Sequence, residues 1–421
     1  MKRFIFNCRR PILLLSMLVF SCVVWAQENI CFSPRLKTLQ VKVDGQWGSA
    51  PVMLLSAGHY VEISFDDLQG NYERYIYTIT HCNADWTSSE LLTSEYMTGF
   101  SQSTIDNYKP SIGTEMKYCH YSLRLPNANT RLLISGNYRV DIFEEGNEDQ
   151  PVAQACFSII EPHVGVEMNV SGNTDIDTYE AHQQVGFTIN YSGYKLSNPV
   201  SELKYVVTQN RRWDTHVTDL QPSLMQVNRL IFNHNRRLIF PAGNEYRRFE
   251  MLDPYVPTLR VNEMAYDNTY YHAFLFVDEQ RINYLYDEDQ NGRYYIRNND
   301  NEENDTESDY FFTHFTLQMP EVPGGNVYVY GDLTHNRIDE SHKMEYNLVD
   351  HQYELMLPLK QGSYNYMYMY VGDDATSTPL TQPCEGNYHQ TENEYDVFVY
   401  HRPFGLRYDK LIGFQKLKYK E

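Results

Sequence analysis

Apolar and polar residues alternate with a period of two along most of this chain, and that rhythm restricts it to sheet. LKTLQVKV (36–43), HYVEISF (59–65), YRVDIFE (138–144), ELKYVVTQ (202–209), NVYVYGD (326–332), YNYMYMYV (364–371) and YDVFVYHR (395–402) each put one set of side chains on each face of a strand. The 36 tyrosines suit this arrangement, because a ring with a polar tip fits a half-buried pleated surface. Turn signals separate the runs, at Pro126-Asn127, Gly136-Asn137, Asn291-Gly292 and Gly324-Gly325. Many short strands joined by such turns predict an all-β protein of tandem immunoglobulin-like β-sandwiches.

A chain of 421 residues is too long for one sandwich. The expected division is a leader at 1–26, sandwiches at 27–161, 162–305 and 306–402, and a basic tail at 403–421. The first boundary follows CFSIIEPH, and the second falls in the acidic run NNDNEENDTESD (298–309), which has no apolar anchor. The leader has Lys2, Arg3, Arg9 and Arg10, then the apolar Ile12–Phe20, then Val24 and Ala26 before Gln27. That pattern reads as a secretory signal, its apolar run too short to span a bilayer permanently. Ser21-Cys22 offers a lipidation alternative, disfavoured by the bulk of Phe20. Removing the leader takes the net charge from −20 to −24, which argues against nucleic acid and anionic lipid as partners.

Five cysteines remain: Cys31, Cys82, Cys119, Cys156 and Cys384. Export permits disulfides, and the first four allow three pairings; simple burial is the alternative. No CxxC, GxSxG, HExxH, P-loop or GxGxxG occurs, so no catalytic residue, metal ligand or cofactor is indicated. DEDQNGRYYIRN (287–298) opens like a calcium loop but has Asn298 where the bidentate acid belongs. INYLY and RYYIR joined through Asn291-Gly292 therefore read as a hairpin without metal. The ladder Tyr364, Tyr366, Tyr368 and Tyr370 reads as packing within a sandwich, with sugar stacking as the alternative.

HCNADWTSSELLTSEYMTGF (81–100) interrupts the sheet pattern. Thr87 and Glu90 form a capping box, Leu92, Tyr96 and Phe100 share one side, and Gly99 ends the run, which predicts one short helix. This stretch, with FDDLQGNYERYIYTITHCNADW (65–86), HYSLRLPNANTRLLISGNYRVDIFEEG (120–146), VVTQNRRWD (206–214), FPAGNEYRRFE (240–250), VYVYGDLT (327–334) and YDKLIGF (408–414), resembles the plug proteins of the Bacteroidota type IX secretion system. The resemblance runs through nearly the whole mature chain. It implies a non-enzymatic periplasmic protein, held at the outer membrane only by protein contact, that stops the periplasmic mouth of a giant translocon β-barrel. Motif residues without an evident core role are the candidates for contact: His81, Asn83, Asp85, Trp86, Arg247, Arg248, Arg407, Tyr408 and Lys410. VYVYGDLTHN and LPLKQGSYNYMYMYVGDD also resemble immunoglobulin-like glycogen-binding modules, so an envelope glycan-binding protein is the rival expectation. Those modules grip glucan with tryptophan, and residues 306–402 contain none.

Overall fold

The computed structural model describes residues 27–299, 302–374 and 377–420, so the expected leader and Cys22 lie outside the described residues. Sheet dominates, and the helices among the described residues are single turns, Thr93–Tyr96, Pro199–Glu202 and Asn304–Glu307, besides short 3-10 pieces.

Each sandwich forms where apolar faces of two sheets meet. In the first, Ala153–Ile160, Gly136–Glu144 and Tyr75–Cys82 lie side by side, facing a sheet of Leu36–Val43, Val61–Asp67, Cys119–Leu125 and Asn107–Pro110. Phe65 stacks on Tyr121 at 5.2 Å, and Tyr75 meets both rings edge-on. The chain leaves after Ile160 and begins the next sheet at Gly165.

Beyond that point the pairing departs from the expected boundaries at 305 and 402. Gly165–Ser171, His182–Asn190 and Arg229–Phe232 face a sheet of Arg212–Val217, Leu203–Gln209, Glu394–His401 and Lys410–Lys418. Between these halves, Arg247–Met251, Tyr294–Ile296, Gly325–Tyr330 and Gly362–Gly372 form one sheet of the third sandwich. Val261–Tyr266, Tyr271–Leu275, Tyr310–Gln318 and Gln352–Lys360 form the other. The physical reason is apolar matching: Tyr395, Val397, Val399 and Ile412 complete the core of Val185, Phe187 and Leu230. The basic end is thus mostly strand, with Leu411 and Ile412 inward and Lys416 and Lys418 paired to Glu394 and Glu392. The acidic run docks on the first sandwich, where Asp309 accepts from the amides of Glu115 and Met116.

The structure decides three local expectations. The helix is one turn, because Thr87 is spent on Asp85, whose Oδ1 accepts from its amide and hydroxyl. The turn begins instead where Glu95 accepts from the Leu92 amide, 2.8 Å away, and Met97–Gly99 then pairs with Thr130–Leu132. The second concerns the hairpin: INYLY forms no strand, while Asn291 and Gly292 make a tight turn of positive φ. Asp289 accepts from the amides of Tyr246 and Asn291 there. Third, all five cysteines are unpaired and buried or nearly so. The tyrosine ladder is core: Tyr364, Tyr366 and Tyr368 are buried, which removes them as a sugar platform.

Candidate functional site

Two stretches far apart in sequence meet at one end of the molecule. The His81–Phe100 segment leaves the first sandwich, and the Arg402–Lys410 loop joins the last two strands of the second. Asp409, fully buried, holds them together. Its Oδ2 accepts from the Ala84 amide at 2.9 Å and from Lys204 Nζ at 3.0 Å, and its Oδ1 accepts from Arg402 Nε at 2.7 Å. Arg402 in turn donates to the Asn83 side chain at 2.6 Å. Asn137 extends the contact, donating to the Asn83 carbonyl and accepting from Tyr400 and Ser158 hydroxyls. A buried carboxylate is tolerable because two cations and an amide satisfy it.

Of the nine sequence candidates, seven gather here. His81 and Trp86 are interior. The imidazole of His81 lies edge-on to Tyr138 and Tyr408 at 5.1 and 5.3 Å, and burial holds its pKa down to about 4. Trp86, at φ +63°, packs edge-on against Trp213 at 5.7 Å, beside Cys82 and Cys156. Neither presents a face to a partner, because burying an apolar ring outweighs exposing it. Asn83 is half-buried in the Asp409 network, and Asp85 is exposed at the turn. Arg407 is exposed and clamps the helical turn, donating to the Glu90 carbonyl at 2.8 Å and pairing with Glu95. Tyr408 and Lys410 are half-buried, the ammonium 5.9 Å from the ring.

Arg247 and Arg248 lie elsewhere, on Arg247–Met251 of the third sandwich. Arg247 points inward: it binds Glu385 through Nε and Nη2, at 2.9 and 3.1 Å, and Asp278 through Nη1 at 2.8 Å. Tyr366 and Tyr368 donate to the other Asp278 oxygen. It is therefore a core ion pair, not a contact residue. Arg248, next along the strand, points outward to Asp287.

The residues that sequence reasoning missed are the apolar ones. Phe404 is 102% exposed, and Leu92 and Phe100 are 69% and 71% exposed, on the two loops that Arg407 ties together. An aromatic residue at the tip of the PFG turn was the available signal.

No three His, Cys, Asp or Glu residues among the described residues converge as a metal site, and no described helix is long and apolar enough to cross a membrane. By fold the molecule is an all-β protein of sandwich-like sheets. A family model for the type 9 secretion system plug protein first domain matches residues 36–161. A crystal structure of a hypothetical protein from Parabacteroides merdae ATCC 43184 is 45% identical, covers 94% of this chain and 100% of its own, and superposes with a TM-score of 0.91. SGBP-B from a complex xyloglucan utilization locus in Bacteroides uniformis aligns at 11% identity with a TM-score of 0.16, covering 92% of this chain and all of its own, too low to indicate a common fold. No curated protein matches significantly. This chain belongs to the plug protein family of the type IX secretion system. The family is a structural component of that system and suggests an envelope location.

Proposed function

We propose that the protein binds the periplasmic opening of the outer-membrane translocon barrel and plugs it without catalysis. The observation that carries this reading is the junction itself: Arg407 ties the 402–410 loop to the helical turn, and Leu92, Phe100 and Phe404 are exposed on the two segments so joined. Asp85 and Lys410 form its polar rim, and Asn83 and Tyr408 brace it from below. His81 and Trp86 act indirectly, by fixing the backbone from which these side chains project. Arg248 supplies a separate, half-buried candidate on the third sandwich, paired to Asp287. An obstruction must hold its shape across a wide opening, and side-chain links between sandwiches serve that need better than flexible linkers.

The test is capture of tagged protein from native outer membranes. Wild type is expected to bring down a very large β-barrel. The triple change Leu92→Ser, Phe100→Ser and Phe404→Ser is expected to lose most of it while keeping the wild-type melting temperature, since all three side chains are exposed. Wild-type protein recovered free of any barrel, or a triple variant captured undiminished, would refute the reading.

A further inference from the structure

Where the three sandwiches meet, they leave a cavity of about 390 Å³ that none of the preceding roles uses. Each sandwich contributes a wall: Trp47 from the first, Arg211, Trp213 and Asp396 from the second, Tyr294 and Asp332 from the third. The walls are joined directly. Trp47 Nε1 donates to the Tyr294 carbonyl at 2.8 Å, and Arg211 donates to the Gly48 carbonyl.

Asp396 is buried, and its Oδ1 has no hydrogen-bond partner among the described residues. Burial pushes its pKa up to about 6 even though Arg211 is near. A buried carboxyl group left without partners costs free energy unless something in the cavity bonds to it. The charges around it are otherwise balanced. Arg293 is held by Glu394, Arg212 by Asp214 at 2.7 Å, and Asp332 accepts from Asn336 at 2.6 Å. The lining carries four cationic side chains against four carboxyl groups, so its net charge favours neither an anion nor a cation.

From this geometry we infer that the junction cavity binds a small neutral sugar of one or two pyranose rings. The indole rings of the wall offer flat apolar faces to the C–H side of a pyranose, while a carboxyl and a guanidinium each reach two neighbouring hydroxyls. The volume is that of a small-molecule site, and the position at a domain junction is typical. A bound sugar would bridge all three sandwiches at once. This site is unrelated to the tyrosine ladder, whose rings are enclosed. It is independent of the translocon reading: loss of barrel capture leaves it standing, and loss of sugar binding leaves capture standing.

The experiment is a thermal-shift titration of the full mature chain with glucose, galactose, mannose, N-acetylglucosamine, maltose and cellobiose, followed by crystals soaked in the best of them. The expected result is a melting temperature that climbs with concentration for at least one sugar, as binding to the folded state requires. Trp47→Ala should weaken that binding roughly tenfold or more. Trp47→Phe, which keeps a ring but loses the bridge to Tyr294, should retain most of it. Asp396→Asn should weaken it comparably to Trp47→Ala. Silence from all six sugars with only water in the cavity overturns the proposal. So does protection by glycine or glutamate in place of sugars, or binding that survives Trp47→Ala.

Discussion

Arg247 and Arg248 are neighbours with opposite fates, and the difference is strand parity. In RRFEM, positions 247, 249 and 251 face the core and 248 and 250 face out. Arg247 therefore meets Asp278 and Glu385 in the interior, where removing a cation leaves charge uncompensated. Arg247→Met should destabilise by roughly 3 kcal/mol, tempered because Arg260 and Arg281 also reach those carboxylates. Arg248→Met should cost about 0.5 kcal/mol or less. Urea denaturation of the two variants decides between them, and equal losses would refute the assignment. Two residues upstream, Glu245 accepts from Tyr284 at 2.8 Å and from the Glu392 amide at 2.9 Å, but its second oxygen is buried without a partner among the described residues. Burial, reinforced by Asp289, raises its pKa from 4.5 to about 7. Below pH 4.5 the folded and unfolded chains both hold this proton. Between 4.5 and 7 only the folded chain holds it, so this group's contribution to stability is lost as pH rises through that window. Glu245→Gln should match wild type near pH 4 and exceed it near pH 8 by on the order of 1–3 kcal/mol, read as melting temperature against pH. A constant difference across that range would show that the carboxyl does not titrate there.

Elements with a clean period of two were legible in the sequence because one face of each is core. Gly136–Glu144, Leu203–Gln209 and Gly362–Gly372 lie where alternation puts them. Elements that depend on what they touch were not. The Thr87 capping box was plausible locally, yet the segment is pulled into a two-strand pairing by Thr130–Leu132, which lies some thirty residues away. Likewise INYLY alternates, but Arg281 and Tyr284 hydrogen-bond to Glu245 and hold the stretch out of any sheet. Arg402 and Asp409 offered no signal at all, since a buried ion pair between loops leaves no periodic trace. The short pairing around Gly99 makes its own prediction. Gly99 sits at φ +114°, and a Cβ there would lie 1.8 Å from the Asn129 carbonyl oxygen. Gly146, at φ +87°, has open space around the same position. Gly146→Ala should cost only the conformational strain, about 1–2 kcal/mol. Gly99→Ala must also displace backbone, so hydrogen exchange at Thr98 and Arg131 should accelerate while Tyr138 and Val140 in the neighbouring core strand keep their protection. Unchanged exchange at Thr98 would mean that the two backbones are not in contact.

At the scale of the molecule, the proposed plugging requires sandwiches that move together, and buried polar links are the means this fold uses. Lys360 of the third sandwich is buried with Nζ 2.7 Å from Asp66 of the first, 2.7 Å from the Asp305 carbonyl and 4.1 Å from the Tyr118 ring centre. Tyr310 donates to the same Asp66 oxygen at 2.7 Å, and His120 lies 2.6 Å from the other. Burial alone would raise the Asp66 pKa, but Lys360 and His120 together bring it below the ordinary carboxylate range. Such a cluster contributes specificity of docking more than net stability, because desolvating both charges offsets most of their attraction. The two halves of that statement separate experimentally. Lys360→Met alone leaves Asp66 buried without its strongest partner and should cost about 3–5 kcal/mol, concentrated at the interface between first and third sandwiches. Calorimetry should then resolve an early transition of the first sandwich ahead of the rest, where wild type unfolds in a more cooperative step. Lys360→Met combined with Asp66→Asn removes the stranded charge and should recover a substantial part of the loss, the coupling that contact residues show in a double-mutant cycle. If the double variant is as unstable as the sum of its parts, the pair is not what joins the sandwiches. If it recovers fully yet plugs poorly, the charged link serves alignment, and the rigidity that closes a pore comes from where the sandwiches are held as much as from how tightly.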